Sequence, residues 1–312
     1  MSWYVMGVDL GSTTAKAAVV DQDGRLAGSS VVQMGAVSRD AVVVAMDRAL
    51  SDAHVDTHDI ARTISTGYGR KLVPGADRSF TEITCHARGA AAMHPGVRLV
   101  IDIGGQDSKA IAVDEEGLVE RFAMNDRCAS GTGRFFDVLA RALEVDVSEV
   151  GRLAMSGTDG LEVSSMCATF AETEVISMLA QGRDKADIAA SVHKAVAART
   201  LGLVAQVGKA TPTVMTGGVA RNEAARHHIE RALRNPVELL EQPQIAGAYG
   251  AGLLARDEHR GNLGRADNRD SAARSQLAER AAGIVPQCAG CDGELDGHHD
   301  HGPVPLTLRT GS

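Results

Sequence analysis

Two stretches of this chain carry the same chemistry-bearing residues in the same order. The first reads Asp9-Leu10-Gly11-Ser12-Thr13-Thr14-Ala15-Lys16 and the second Asp102-Ile103-Gly104-Gly105-Gln106-Asp107-Ser108-Lys109. Each has an aspartate at the end of an apolar run, a turn of glycine and small polar residues, and a closing lysine. Glycine and small hydroxyl residues let backbone N–H groups come close to phosphate oxygens. Asp9 and Asp102 are candidates to hold a hydrated Mg²⁺ or to orient an attacking water. Lys16 offers a point charge for a phosphate and can equally lie along its own hairpin. Ser12, Thr13, Thr14, Ala15, Lys16, Gly104, Gly105 and Gln106 are the candidate phosphate contacts. A third stretch, Thr213-Val214-Met215-Thr216-Gly217-Gly218-Val219-Ala220-Arg221-Asn222, reads as a strand ending in a bare Gly-Gly backbone. Gly217 and Gly218, with Gln244, are the candidates for the nucleoside end. No G-x-x-x-x-G-K-[ST] loop is present in the sequence.

The thiols pose a separate question. The chain has five cysteines, Cys85, Cys128, Cys167, Cys288 and Cys291. Cys128 lies in MNDRCASGTGRF, before apolar residues at helical spacing (Phe135, Val138, Leu139, Ala142, Leu143). Cys167 precedes Thr169-Phe170-Ala171-Glu172, which has capping-box spacing, and the apolar Val175, Ile176 and Leu179. Both therefore fall at expected helix N-termini, where the helix dipole favours a thiolate or a negative cluster. From the residues alone, packing, nucleophilic and metal-ligating roles all stand for these two. Cys85, in Thr84-Cys85-His86-Ala87, reads as a small buried hydrophobe.

These groups need a scaffold, and the repeat describes it. Each aspartate follows an apolar run, and each lysine opens a second one, AAVV or AIAV, closed by Asp21-Gln22-Asp23-Gly24 or Asp114-Glu115-Glu116-Gly117. That pattern predicts a duplicated β-domain whose two hairpin turns face a shared cleft. Residues 244–252, QIAGAYGAG, predict a small-residue helix start that packs closely at a hinge. The expected division is 1–95 and 96–256 as two α/β halves, the last helices packing back on the first. Residues 257–312 are expected to be a largely disordered tail with one Ala-rich helix. In that tail Cys288 and Cys291, with His298, His299 and His301, are zinc-like in type, but a solvated His-rich segment is the expected reading.

Composition excludes several classes. A formal net charge of −8, with no basic run and 3% aromatic residues, argues against nucleic-acid binding. No apolar run approaches bilayer length, and the start MSWYVMGVDLG lacks a signal-peptide n-region, so a cytoplasmic protein is expected.

Together ITCHARGA, DIGGQDSK, MNDRCASGTGRF, MCATFAETEVIS and TGGVARN resemble the BadF/BadG/BcrA/BcrD-type ATPase family of the acetate and sugar kinase/Hsc70/actin superfamily. The resemblance spans Val5 to Arg256. It implies an α/β fold of duplicated ribonuclease H-like (actin/Hsc70-type) ATPase domains around a central nucleotide cleft that binds Mg-ATP. It further implies a homodimer, or a paralogous heterodimer, sharing one [4Fe-4S] cluster, with the ligands falling on Cys128 and Cys167 of each subunit. ATP hydrolysis would drive a low-potential electron, taken from ferredoxin or flavodoxin, to a 2-hydroxyacyl-CoA dehydratase or benzoyl-CoA reductase. The rival reading is a non-redox small-molecule kinase or regulatory ATPase of the same superfamily, for which two thiolates at a dimer seam have no use.

Overall fold

The computed structural model describes residues 3–35, 37–125, 131–158, 160–163 and 168–282. Cys128, Cys167, Cys288, Cys291, His298, His299 and His301 lie outside the described residues. Contacts divide the chain into Met1–Arg274 and Ser275–Ser312, and the architecture below is that of the first unit.

The first half runs β1 (Tyr4–Leu10), β2 (Thr14–Asp21), β3 (Leu26–Gln33), α1 (Arg39–Ala53), β4 (Ile60–Thr66), β5 (Arg78–Ser79) and α2 (Glu82–Met93). The second continues with β6 (Leu99–Ile103), β7 (Ser108–Val113), β8 (Val119–Asn125), α3 (Gly133–Leu143), α4 (Val150–Met155), α5 (Ala168–Ala180) and α6 (Lys185–Val207). It ends with β9 (Thr213–Thr216), α7 (Glu223–Leu233), β10 (Glu238–Leu239), α8 (Ala246–His259) and α9 (Gly264–Ala282).

The sequence repeat is a structural repeat. One sheet has strand order β3-β2-β1-β4-β5 and the other β8-β7-β6-β9-β10. In each, an antiparallel meander is joined in parallel to a later strand beside its first member. The Asp-Gly turns match as well: Gly24 N donates to Asp21 O and Gly117 N to Asp114 O, both at 3.0 Å.

Strand alternation sends side chains of the first sheet to two cores. Met6, Val8, Leu10, Ala15, Ala17 and Val19 pack with Val42, Ala45 and Ala49 of α1. Val5, Ala18, Val20 and Ile64 pack with Ala248, Ala251 and Leu254 of α8. Helices cover both faces, so β1 reads as nearly unbroken apolar sequence. The last long helix thus returns to the first sheet. It crosses α2 with backbones in contact: a β-carbon on Gly250 would overlap Cys85 O, and one on Gly89 would overlap Ala246 O. The small residues of QIAGAYGAG serve this crossing.

In the second half Leu99, Ile101 and Ile103 of β6 meet Phe135, Phe136 and Leu139 of α3 and Ile188, Val192 and Val196 of α6. Helix α6 is long and apolar enough by length and composition to cross a membrane, which the run-length reading does not anticipate; 61% of that window is buried in this core. Helix α9 lies in the segment read as tail. Its Asp270, 1% exposed, accepts from Thr81 N at 2.8 Å and Thr84 Oγ1 at 2.9 Å, tying it to the start of α2. Cys85 is fully buried, and burial pushes its thiol up, as a packed residue requires.

Candidate nucleotide site

Both repeated turns face one cavity of about 550 Å³. Asp9, Ser12, Thr13, Thr14, Lys16, Asp102, Gly104, Gly105, Gln106, Gly217, Gly218 and Gln244 all line it. Ala15 does not. Alternation along β2 turns its methyl into the core beside Val8 and Leu10, while its neighbours Thr14 and Lys16 face the cavity. The turns close alike, Gly11 N donating to Thr14 O and Gly104 N to Asp107 O at 3.0 Å. They also touch: a β-carbon on Gly105 would stand 2.7 Å from Thr13 Oγ1.

Each strand-end aspartate is the direct cross-strand partner of its lysine. Lys16 Nζ lies 2.9 Å from Asp9 Oδ2, with 12% of its side chain exposed. Lys109 Nζ lies 3.0 Å from Asp102 Oδ2, 2.7 Å from Asp107 Oδ1 and 3.6 Å from Glu82 Oε1, with only 1% exposed. Burial opposes the ammonium, but these three carboxylates outweigh it and hold Lys109 well above the ordinary lysine range. Burial likewise opposes a charge on Asp102, yet His86, Lys109 and Thr216 hold its carboxyl well below the usual carboxylate range. Glu82, at the start of α2, goes the other way: burial pushes it up to about 7 against the pull of Lys109.

The duplication extends past the hairpins. Thr66 ends β4 in register with Asp9, and Thr216 ends β9 in register with Asp102. A glycine follows each, Gly67 at φ 88° and Gly217 at φ 83°, in backbone that favours glycine. A β-carbon on Gly67 would overlap Asp9 Oδ1, and one on Gly217 would lie 2.9 Å from Asp102 Oδ1. The sequence reading finds TGG at Thr216 and misses its twin, Thr66-Gly67 in STGYGR; the shared strand-Thr-Gly pattern is the signal that marks both. It also misses Glu82, His86 and Asn222, all on the cavity wall.

Helix α3 rests on the second turn. Gly133 N donates to Gly104 O at 2.8 Å and Arg134 N to Gly105 O at 2.9 Å. The start of α3, five residues beyond Cys128 in the sequence, is thus anchored to the second candidate phosphate loop. Helix α5 begins at Ala168, the residue after Cys167, so Thr169, expected as its cap, lies inside the first turn. At the Gly217–Gly218 end, Asn222 Oδ1 caps α7 by accepting from Ala225 N at 3.0 Å and lies 3.1 Å from His193 Nε2. Burial lowers the His193 pKa to about 4. A deep site between two turns that present backbone donors and two aspartates suits a Mg²⁺-bound polyphosphate.

Comparison with known proteins agrees with this geometry. The (R)-2-hydroxyglutaryl-CoA dehydratase activating ATPase of Acidaminococcus fermentans is 43% identical over 256 residues, 82% of this chain and 98% of that protein. A benzoyl-CoA reductase subunit from Thauera aromatica is 34% identical over 216 residues, 67% of this chain and 76% of that one. The solved structure of the activator of the 2-hydroxyisocaproyl-CoA dehydratase from Clostridium difficile, with bound ADPNP, matches at TM-score 0.79 and 38% identity, covering 83% of this chain and 97% of that one. A ROK family glucokinase from Streptomyces griseus, at TM-score 0.51 and 18% identity, shares the fold alone. The architecture is the actin/Hsc70-type ATPase fold with its nucleotide cleft. The BadF/BadG/BcrA/BcrD ATPase family model matches residues 6–255, and the chain belongs to that family.

Proposed function

We propose that this protein is an ATP-dependent reductive activator. It hydrolyses Mg-ATP between halves 1–95 and 96–256 and couples hydrolysis to delivery of a low-potential electron to a CoA-ester enzyme. The observation that carries the reading is the pair of Asp–Lys hairpins on one cavity, with the first N–H groups of α3 hydrogen-bonded to the second turn. A change at that turn is passed mechanically to the start of α3, which follows the Cys128 segment in the sequence.

The phosphates take backbone N–H groups and hydroxyls of Ser12, Thr13, Thr14, Gly104, Gly105 and Gln106, and Lys16 leaves Asp9 to meet their charge. Asp9 and Asp102 orient the hydrated metal and the attacking water. Hydrolysis asks mainly for positioning and charge neutralisation, which these groups supply. Gly217, Gly218 and Gln244 take the nucleoside.

Cys128 and Cys167 would each supply a thiolate, and two subunits across a twofold seam would supply the four that a [4Fe-4S] cluster needs. When bound, the cluster supplies one-electron chemistry at low potential. Relatives 39–43% identical to this chain are activators of 2-hydroxyacyl-CoA dehydratases, whereas the benzoyl-CoA reductase subunit is 34% identical, which favours the dehydratase as partner. The electron donor would be ferredoxin or flavodoxin, in the cytoplasm.

The test is iron and acid-labile sulfide analysis of anaerobically purified protein, with ATPase assays on the same sample. The reading expects about four irons per dimer, lost in Cys128→Ala and Cys167→Ala. A colourless wild type that phosphorylates a small molecule would contradict it and favour the kinase rival.

A further inference from the structure

We infer that His86 is the positioning residue that distinguishes Asp102 from its twin Asp9, an inference that rests on the ATPase reading above. Thr66 and Thr216 occupy equivalent places beside the two aspartates. Their hydroxyls act differently. Thr66 Oγ1 donates to Phe80 O at 3.1 Å and so turns from Asp9. Thr216 Oγ1 donates to Asp102 Oδ1 at 2.9 Å.

The difference lies in His86, on α2 and 6% exposed, whose Nδ1 is 3.0 Å from Thr216 Oγ1. The hydroxyl has one hydrogen, directed to the carboxylate, so toward the imidazole it accepts, and Nδ1 carries the hydrogen. The relay from His86 through Thr216 to Asp102 therefore has a fixed direction, and Nδ1 also stands 3.4 Å from Asp102 Oδ1 itself. Lys109 holds the other carboxylate oxygen at 3.0 Å. Both oxygens of Asp102 are held in place, whereas Asp9 has Lys16 on Oδ2 and no threonine hydroxyl in the place of Thr216. The far edge of the ring faces the start of α8: a β-carbon on Gly247 would lie 2.9 Å from His86 Nε2 and 3.2 Å from Asp9 Oδ2. His86 thus stands between the two aspartates where α2 and α8 cross. It fixes Asp102 as the rigid guide for the water or hydrated metal and leaves Asp9 able to exchange Lys16 for ligand.

The experiment uses full-length His86→Asn, His86→Leu, Thr216→Val, Thr216→Ser and the double variant His86→Leu/Thr216→Val. For His86→Leu and Thr216→Val the expected loss in kcat for ATP is about 10- to 100-fold, the scale of a misplaced catalytic group. ADPNP affinity stays within about threefold, because uniform binding is untouched. His86→Asn, whose amide can donate from the place of Nδ1, and Thr216→Ser, which keeps the hydroxyl, restore most of the activity. The double variant loses clearly less than the product of the two single losses, as one connected unit of His86, Thr216 and Asp102 demands. If His86→Leu does not fold, the Thr216→Val and Thr216→Ser pair with His86→Asn still decides. Multiplying losses, an inactive His86→Asn, or a fully active Thr216→Val overturns the inference while the ATPase reading stands. A wild type that binds ADPNP but hydrolyses no ATP overturns the reading, and the inference with it.

Discussion

Lys16 Nζ stands 2.9 Å from Asp9 Oδ2, directly across the first hairpin. Both ion pairs lie on the cavity wall, but Lys16 keeps 12% of its side chain exposed beside one carboxylate, whereas Lys109 keeps 1% among three. The two lysines should therefore fail differently. Lys16→Met should fold normally and raise KM for ATP by about 10-fold or more, since a charge-assisted phosphate contact is worth roughly 1.5–3 kcal/mol. Lys109→Met leaves buried carboxylates without their cation and should cost about 3–5 kcal/mol of stability. Denaturant unfolding with ATPase kinetics on both variants separates these outcomes.

Gly217 has φ 83° and ψ 178°, a conformation closed to residues with a β-carbon. Gly217→Ala should destabilise the protein by about 1–3 kcal/mol from strain and weaken ADPNP binding, because the methyl would also press on Asp102. Gly202, inside α6 with open space around it, is the contrast. Gly202→Ala should stabilise by about 0.5–1 kcal/mol. Thermal unfolding of the pair checks the opposite signs.

The twin hairpins are legible in the sequence because phosphate chemistry and strand pattern repeat together, and a repeated motif carries more information than either copy. What lies outside its reach is set by the tertiary fold. Thr66 becomes the counterpart of Thr216 only when β4 and β9 pair beside β1 and β6. Glu82 and His86 reach the cavity only because α2 packs against β6, β7 and β9 of the second sheet. Ala15 is misplaced when the motif is taken as a continuous loop, whereas β2 begins at Thr14 and alternation claims the next side chain for the core. Composition gives the tail segment one Ala-rich helix, and α9 is a helix there, but it does not reveal that Asp270 is buried against the start of α2, bonded to Thr81 and Thr84.

His193 should make the fold acid-sensitive. Its pKa falls from 6.5 to about 4 on folding, so between these values the unfolded chain binds the proton and the folded one does not. Stability from this group is full above pH 6.5 and is lost as pH falls toward 4, with a slope of about 1.4 kcal/mol per pH unit. His193→Gln should flatten the stability curve by that one-proton slope across the same window, as urea titrations at several pH values would measure.

The hydrogen bonds from Gly133 and Arg134 to the second turn predict a local response to nucleotide. ADPNP should slow amide hydrogen exchange at the start of α3 while leaving α1, which lines no part of the cavity, unchanged. Equal protection of both helices would argue against mechanical linkage through Gly104 and Gly105.

The most direct test of the central claim is the activation of a 2-hydroxyacyl-CoA dehydratase by the anaerobic, pre-reduced full-length protein. Activation is expected with Mg-ATP, none with ADPNP, and none from Cys167→Ala with either nucleotide. Activation that proceeds equally with ADPNP, or equally well without the Cys167 thiol, would contradict it.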